Sequence, residues 1–459
     1  MTLIKSISGI RGTIGGFPGN NLTPVDLVKF ASAYGVWLKR KKGSGKLKIV
    51  VGRDARISGE MADQLVTASL RGLGIDIIQT GLVSTPTVEM AVRDHSADGG
   101  IILTASHNPA NWNALKLLNA SGEFISARDG EDVLKISENE DFEFADVYML
   151  GKIYSDNEAG NRHIQSILDL NLVDKKSIAG ADFTIAVDGT NSVGGIIIPE
   201  LLKQLGIRRI IQLNCDPDGN FRHNPEPLPE NLTGLSALVV KEKADLGFAV
   251  DPDVDRLVIV NENGSMFGEE YTLVAVADYI LKHRPGNTVS NLSSTRALKD
   301  ITEKYGMTYY PAAVGEVNVV EKMKKVNAVI GGEGNGGIIY PELHYGRDAL
   351  VGVALFLSHL SGAGIKCSEL RKSYPDYFIS KHKTAIKGEN AFNETINKIR
   401  KQYGSFIINE EDGLKIDFPD GWIHLRKSNT EPIIRVISES TTKEKAVNLA
   451  SEILELLQE

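Results

Sequence analysis

One grammar recurs along this chain and constrains its fold more than any single motif does. Short apolar runs that end in polar loops alternate with segments whose apolar residues return at helical spacing. Lys48–Val51, Ile75–Gln79 and Gly99–Leu103 are runs of the first kind. Thr23-Pro24 opens a helix carrying Leu27, Phe30, Ala31, Tyr34 and Leu38, and Lys39 to Lys42 followed by Gly43 suits its carboxyl end. Ser58 is placed to cap the next helix, which carries Leu65, Leu70 and Leu73. Such alternation predicts mostly parallel sheets covered by helices, with ligand-handling residues at the carboxyl ends of strands.

The grammar restarts at Phe183, with strand Thr184–Val187, helix Ile196–Leu205 and strands Arg209–Leu213 and Leu246–Val250. It restarts again near Tyr271, with helix Thr272–Leu281, strand Thr288–Leu292, helix Arg296–Tyr305, strand Ala328–Ile330 and helix Asp348–Leu360. Three rounds of about a hundred residues suggest a triplicated unit. The tail from Asp417 reads differently: strand, loop, strand, then the amphipathic helix Thr442–Leu457, with a linker expected around Lys366–Ser380. The expected fold class is therefore α/β, three similar mixed α/β domains and a small C-terminal α+β domain.

A chain of 459 residues, 42% hydrophobic and 24% charged, has ample material for several cores. A net charge of −8 argues against a partner that is nucleic acid or an anionic membrane. Two cysteines, Cys215 and Cys367, make neither a disulfide framework nor a CxxC metal site. With no signal-like segment at the N-terminus and no apolar run near 18 residues, the expected location is cytoplasmic.

Four loops concentrate the chemistry. The strand Ile101–Leu103 ends in Thr104-Ala105-Ser106-His107-Asn108-Pro109, which offers a hydroxyl beside an imidazole at a strand's carboxyl end. Asp251-Pro252-Asp253-Val254-Asp255-Arg256 follows a buried strand. On an extended segment its alternate carboxylates would share one side, and they would repel strongly without a hard cation such as Mg²⁺ between them. Gly331–Gly337 carries five glycines and two polar side chains, Glu333 and Asn335, suited to a ligand approached closely by backbone and to sugar hydroxyls. Arg426-Lys427-Ser428-Asn429-Thr430-Glu431-Pro432 crowds hydroxyls, an amide and an arginine into one turn, as a phosphate cradle would, and Arg435 alternates back toward it. Each loop alone is also compatible with an ordinary polar turn.

Taken in order, these loops resemble those of the α-D-phosphohexomutase superfamily across nearly the whole chain. Thr104–Pro109 resembles its phosphoserine loop, Asp251–Arg256 its metal loop, Gly332–Gly337 its sugar loop and Arg426–Pro432 its phosphate loop. The early elements Gly9–Gly12 and Gly52-Arg53-Asp54 through Ser58-Gly59 fit as well. The resemblance implies four domains around a central cleft, over residues 1–154, 155–258, 259–370 and 371–459. It implies phosphorylation of Ser106, with Mg²⁺ held by Asp251, Asp253, Asp255 and a phosphoryl oxygen on Ser106. Glu333, with Asn335 beside it in the sugar loop, would hold the sugar, while Arg426, Ser428, Asn429, Thr430 and Arg435 would grip the phosphate that is not reacting. Arg11, Lys116 and Arg256 would surround the transferring group, with Lys116 or His107 assisting proton transfer. The implied activity interconverts hexose 1- and 6-phosphates, with a hexose 1,6-bisphosphate as intermediate and activator.

The loops depart from the common family pattern in places. Pro252 and Val254 stand where glycines are usual, and Asn335 where many members have serine. The combination of Gly-Glu-Gly-Asn-Gly-Gly with Ser-Asn-Thr-Glu-Pro looks most like the archaeal-type phosphoglucosamine mutase branch, whose relatives also act on glucose or mannose phosphates. Two other classes of function compete with this reading. A Mg-dependent sugar phosphatase would use an Asp-x-Asp loop with the first aspartate as nucleophile, but here a separate serine loop exists. A non-catalytic sugar-phosphate binder would have lost Ser106 or the aspartates, and all are present.

Overall fold

The computed structural model describes residues 1–6, 9–385, 389–427 and 433–458. Its internal contacts divide the chain into two units, Met1–Thr272 with Gly336–Ser368, and Leu273–Asn335 with Glu369–Glu459.

The first unit opens with β1 (Ile4–Ser6), β2 (Gly9–Thr13), α1 (Pro24–Lys42), β3 (Lys48–Arg53), α2 (Gly59–Gly72), β4 (Asp76–Leu82), α3 (Thr85–Asp94), β5 (Gly99–Leu103), β6 (Trp112–Leu118), α4 (Ala127–Asn139) and β7 (Ile153–Ser155). They build a seven-stranded sheet in the order β1-β2-β6-β5-β3-β4-β7. The sheet is mixed where the sequence suggested mostly parallel strands. β3, β4, β5 and β7 run parallel, while β6 returns antiparallel to β5. The loop from Leu103 to Trp112 is too short for a parallel crossover, so the chain doubles back. α1 forms as expected: Thr23 makes a capping box with Asp26, Pro24 occupies the first turn, and Gly43 ends it at φ 78°. Ser58 does not cap α2; its hydroxyl takes a bond from Asn113 instead. Ile49, Val51, Ile101 and Leu103 pack against α1 and α2, and Val50 and Ile102 against α3, so both faces of the sheet are covered.

The chain continues through α5 (Ala159–Leu168), α6 (Lys175–Gly180), β8 (Thr184–Asp188), α7 (Gly194–Gln204), β9 (Arg209–Leu213), α8 (Thr233–Glu242), β10 (Leu246–Val250) and β11 (Leu257–Asn261). Here the sheet order is β11-β10-β8-β9, with only β11 antiparallel. α9 (Glu269–His283) then runs into the second unit, where β12 (Thr288–Asn291), α10 (Ala297–Lys304), β13 (Tyr309–Ala312), α11 (Glu316–Val326) and β14 (Ile330–Glu333) follow. β12 lies between β13 and β14, parallel to both. β15 (Gly337–Ile339) and α12 (Ala349–Ala363) return to the first unit.

The segment expected to be a linker is structured. α13 (Cys367–Lys372) and the start of β16 (Phe378–Ala385) occupy it. The tail also holds more than the sequence suggested: α14 (Glu389–Gln402), β17 (Ile407–Asn409), β18 (Leu414–Phe418), β19 (Gly421–Lys427), β20 (Ile433–Ser440) and α15 (Lys443–Gln458). Its five strands form one antiparallel sheet, β16-β20-β19-β18-β17, over a core that includes Ile416, Leu425, Val436 and Ile453. Among the described residues, no helix is long and apolar enough to cross a membrane.

Candidate active site

The serine loop leaves β5 at Leu103 and is held by a residue fifty positions upstream. The fully buried Arg56 side chain donates from Nη2 to the carbonyls of Ser106 (2.5 Å) and Asn108 (2.7 Å), and from Nη1 to those of Pro109 (2.7 Å) and Trp112 (3.0 Å). Its Nε donates to Asp54 Oδ2 at 3.1 Å, which also accepts from the Thr104 hydroxyl at 2.6 Å. Thr104 in turn accepts from the Ser106 N–H at 2.9 Å. This network holds Ser106 at φ 48°, a left-handed conformation that costs a non-glycine residue about 1–2 kcal/mol. The result is a buried hydroxyl, Ser106 Oγ, aimed at Asp251 Oδ2, 2.6 Å away. His107 Nδ1 lies 3.2 Å from the same hydroxyl.

The aspartate loop converges, though not through an extended segment as the sequence suggested. The chain turns, and Val254 at φ 62° makes the turn. That is an outlier for a β-branched residue, at a position where glycine would be relaxed. The turn is pinned from several sides: Thr85 N–H donates to Asp253 O at 2.9 Å, Ser192 Oγ to Pro252 O at 2.6 Å, and Ala349 N–H to Val254 O at 3.2 Å. Asp251 Oδ1 takes the Asp255 and Arg256 N–H groups, both at 3.1 Å. Donor atoms of Asp251, Asp253 and Asp255 thereby lie within 4.8 Å of one another, all buried.

Cations surround this triplet. Lys116, on β6, donates to Asp253 Oδ2 at 2.6 Å and Asp255 Oδ2 at 3.3 Å. Arg347 Nη2 donates to Asp255 Oδ2 at 2.7 Å. Arg256 Nε lies 3.9 Å from Asp251 and 3.8 Å from Asp255. Burial favours the neutral acid at Asp255, yet Arg347, Lys116 and Arg256 hold it ionised, below the carboxylate range. Burial, with repulsion from Asp255 and Asp253, drives Asp251 the other way, well above that range. Burial also opposes the charge on Lys116, but the two aspartates more than compensate. Burial and the nearby arginines push His107 down to about 2, so its ring is neutral. Arg11 sits on β2, paired in register with Ala114 two residues before Lys116.

The donor set fits a hard divalent cation. It is all oxygen, and Asp253 Oδ1 and Asp255 Oδ1 are buried without a hydrogen-bond partner among the described residues. Buried carboxylate oxygens in that condition are costly unless a cation meets them.

In the second unit, Glu333 ends β14 and is buried. Its Oε1 accepts from Asn291 Nδ2 at 2.9 Å and from the Gly315 N–H at 3.3 Å. Asn335 follows in the glycine loop and is half-buried. Arg426 and Arg435 stand directly opposite each other on β19 and β20. Like charges in that register repel unless an anion joins them, and Asp412 lies 3.4 Å from Arg426. Ser428, Asn429 and Thr430 lie outside the described residues.

Arg56, Asp54 and Arg347 were not singled out by the sequence reading. Arg56 stands in the early stretch from Gly52 to Gly59, whose likeness to the family was noted without a role for this side chain, and four of its five hydrogen-bond partners are backbone carbonyls, which carry no side-chain signature. Arg347 follows the sugar loop by ten positions in Gly346-Arg347-Asp348, and nothing in its spacing points to Asp255.

Four domain models of phosphoglucomutase/phosphomannomutase match the chain: alpha/beta/alpha domain I over residues 3–144, domain II over 161–264, domain III over 268–377, and the C-terminal domain over 384–456. The chain belongs to the phosphoglucomutase/phosphomannomutase family. It is a phosphohexomutase, an isomerase of hexose phosphates. A phosphoglucomutase/phosphomannomutase of Thermococcus kodakarensis is 35% identical over 98% of each chain. A probable phosphoglucosamine mutase of Methanopyrus kandleri is 32% identical over 98% of this chain and 96% of its own. A crystal structure of a phosphoglucomutase/phosphomannomutase family protein from Burkholderia thailandensis superposes with a TM-score of 0.85 at 25% identity, covering 100% of this chain and 98% of that one.

Proposed function

We propose that Ser106 carries the phosphoryl group and that the sugar is glucosamine phosphate, with glucose and mannose phosphates as the second reading. The observation that supports the carrier role is the 2.6 Å contact of Ser106 Oγ with Asp251, inside a ring of carboxylates and cations. The likeness to the Methanopyrus relative supports glucosamine, and the likeness to the Thermococcus relative supports glucose and mannose. The proposed cofactor is one Mg²⁺, held by Asp251, Asp253, Asp255 and an oxygen on Ser106, supplying positive charge to the phosphoryl oxygens when bound. The proposed compartment is the cytoplasm.

Phosphoryl transfer needs position and charge more than covalent activation. Phospho-Ser106 gives its phosphoryl group to a free hydroxyl of a hexose monophosphate: the serine O–P bond breaks, the sugar O–P bond forms, and the hydroxyl proton leaves to a base. The candidate bases are His107, 3.2 Å from Ser106 Oγ, and Lys116, which two carboxylates hold charged; the burial and the arginines that keep the His107 ring neutral also weaken it as a proton acceptor. Arg11, Lys116 and Arg256 neutralise the moving oxygens. The bisphosphate then returns its other phosphate to the serine. Glu333 and Asn335 bind the sugar, and Arg426, Ser428, Asn429, Thr430 and Arg435 hold the resting phosphate. Added hexose 1,6-bisphosphate activates by priming Ser106.

The test is a competition among glucosamine, glucose and mannose 1-phosphates with Mg²⁺ and a trace of bisphosphate. The kcat/KM for glucosamine is expected to be highest. Ser106→Ala is expected to reduce turnover to background while sugar phosphate still binds. Undiminished turnover would remove the assigned carrier, and release of free phosphate in excess of isomerisation would favour a phosphatase.

A further inference from the structure

A buried chain of hydrogen bonds next to the aspartate turn contains no group that the proposed reaction uses. At its centre is His163, on α5 and fully buried. Its Nδ1 lies 3.0 Å from the hydroxyl of Thr87, on α3, and its Nε2 lies 2.9 Å from Oδ2 of Asp348, the residue that caps α12. A ring protonated at Nε2 donates to the carboxylate and accepts from the hydroxyl, so both nitrogens are satisfied. Asp348 is fixed in turn, because its Oδ1 accepts from Leu350 N–H at 2.8 Å and Val351 N–H at 3.3 Å. A second strut runs between the same elements. His344 Nε2 is 3.2 Å from Asp348 Oδ2, and its Nδ1 is 3.3 Å from the carboxylate of Glu89, on α3. α3 and the start of α12 are thereby joined twice.

Both joined segments touch the aspartate turn. Two residues before Thr87, Thr85 donates its N–H to Asp253 O at 2.9 Å and its hydroxyl to Asp253 Oδ2 at 2.6 Å. On either side of Asp348, Arg347 donates to Asp255 Oδ2 at 2.7 Å, and Ala349 N–H to the carbonyl of left-handed Val254 at 3.2 Å. These bonds select oxygens. Thr85 and Arg347, each together with Lys116, occupy Oδ2 of Asp253 and of Asp255, and Oδ1 of each is the atom that no hydrogen bond meets among the described residues. A strained turn keeps its shape only while its surroundings over-determine it.

We propose that His163 is a positioning residue for the cation site, an inference that rests on the reading of Asp251, Asp253 and Asp255 as the ligands. Its ring holds the start of α3 to the start of α12. Through Thr85, Arg347 and Ala349 it sets the spacing of the carboxylates, although it bonds to none of them. An imidazole suits the post because it is rigid and bonds at two edges, whereas a leucine fills similar space and makes neither bond. Removing the partners that orient metal ligands costs about 10–100-fold in metal affinity. His163 acts one residue further out, so the low end of that range is expected.

Titration of the full-length protein with Mn²⁺, a hard cation that takes the same oxygen ligands as Mg²⁺, tests this without turnover, with the free ion followed by electron paramagnetic resonance. His163→Leu is expected to weaken Mn²⁺ binding about tenfold. Thr87→Val removes one bond and keeps the shape, so it is expected to weaken binding by less. Thr87→Ser keeps the hydroxyl and is expected to bind as the wild type does. In turnover assays of His163→Leu, the Mg²⁺ concentration for half-maximal rate should rise in proportion, with KM for the sugar phosphate unmoved. A histidine that served the fold alone would lower the denaturation midpoint and leave ion affinity where it was. Binding that is lost in Asp253→Asn but unchanged in His163→Leu and Thr87→Val overturns this proposal and spares the cation reading. Thr87→Val alone decides if His163→Leu does not fold. Binding unchanged in Asp253→Asn as well ends both.

Discussion

The serine–aspartate region of the first unit and the Glu333–Arg426 region of the second treat charge in different ways. In the first, carboxylates and cations are buried and bonded to one another: Lys116 bridges Asp253 and Asp255, Arg347 holds Asp255, and Arg56 binds Asp54 along with four carbonyls. In the second, the carboxylate of Glu333 is held by an amide and a backbone N–H, and Arg426 faces another arginine across a strand pair. Apart from the cation that the unbonded oxygens of Asp253 and Asp255 fit, the first arrangement is assembled before substrate arrives, as charge stabilisation in a transition state requires. The second is one that a sugar and a phosphate would complete. On the proposed roles, preassembled chemistry and substrate-completed recognition fall to different stretches of chain.

The largest effect is expected at Arg56. Arg56→Met leaves Asp54 buried without its counter-charge and releases four loop carbonyls, which is expected to cost about 3–5 kcal/mol of unfolding free energy. Chemical denaturation measures it. Turnover should fall as well, because the left-handed Ser106 is held by that network. A loss below about 1 kcal/mol, in the range of an exposed ion pair, would mean the serine loop is not prearranged by this residue.

Two buried histidines sharpen the contrast through opposite pH dependence. Burial works against a charge on His344, but a hydrogen bond to Asp348 and the Glu89 carboxylate 3.3 Å from its Nδ1 raise it from 6.5 to about 9. Its stabilisation is therefore complete below pH 6.5 and fades as pH rises through 9. The rise corresponds to about 3 kcal/mol. His424, in the second unit, is pushed by burial from 6.5 down to about 4, with its ring bonded to Ser293 and the Asp412 carbonyl. Folding keeps it neutral, so stability is lost as pH falls below 6.5 toward 4, by a similar amount. Denaturation midpoints across pH 4 to 10 check both signs. His344→Gln is expected to remove the part of the alkaline loss that this ring contributes. A variant whose alkaline loss matches wild type would mean the Glu89–His344–Asp348 chain carries no proton.

The difference between the regions also explains what could be read in the sequence. Short apolar runs placed Arg209–Leu213 and Leu246–Val250 to the residue, although only the second is buried throughout. Three aspartates in six residues announced a cation site, yet the turn that gathers them, with Val254 left-handed, contradicts local preference and is imposed by Thr85, Ser192 and Ala349 from elsewhere in the chain. Arg56 was hidden for a related reason: apart from Asp54, two positions before it, its partners are carbonyls, identical at every residue. The strands of the C-terminal sheet before Asp417 were missed because segments such as Phe378–Ala385 run Ser380-Lys381-His382-Lys383-Thr384 without the apolar alternation that marks a half-buried strand.

The smallest effect, and the one that bears most directly on the division, is expected at Glu333. Glu333→Gln keeps an oxygen that can accept from Asn291 and Gly315, so the fold around β14 should hold. What it loses is the second acceptor oxygen and the negative charge offered to sugar hydroxyls, while its new NH₂ cannot accept. If the residue serves recognition, KM rises about tenfold, near 1.4 kcal/mol, with kcat changed little, because the contact is made equally in ground and transition states. Steady-state kinetics with each sugar phosphate separates the two parameters. A fall in kcat equal to the fall in kcat/KM would mean that Glu333 stabilises the transition state itself, and the chemistry would then no longer be confined to the prearranged charges of the first unit.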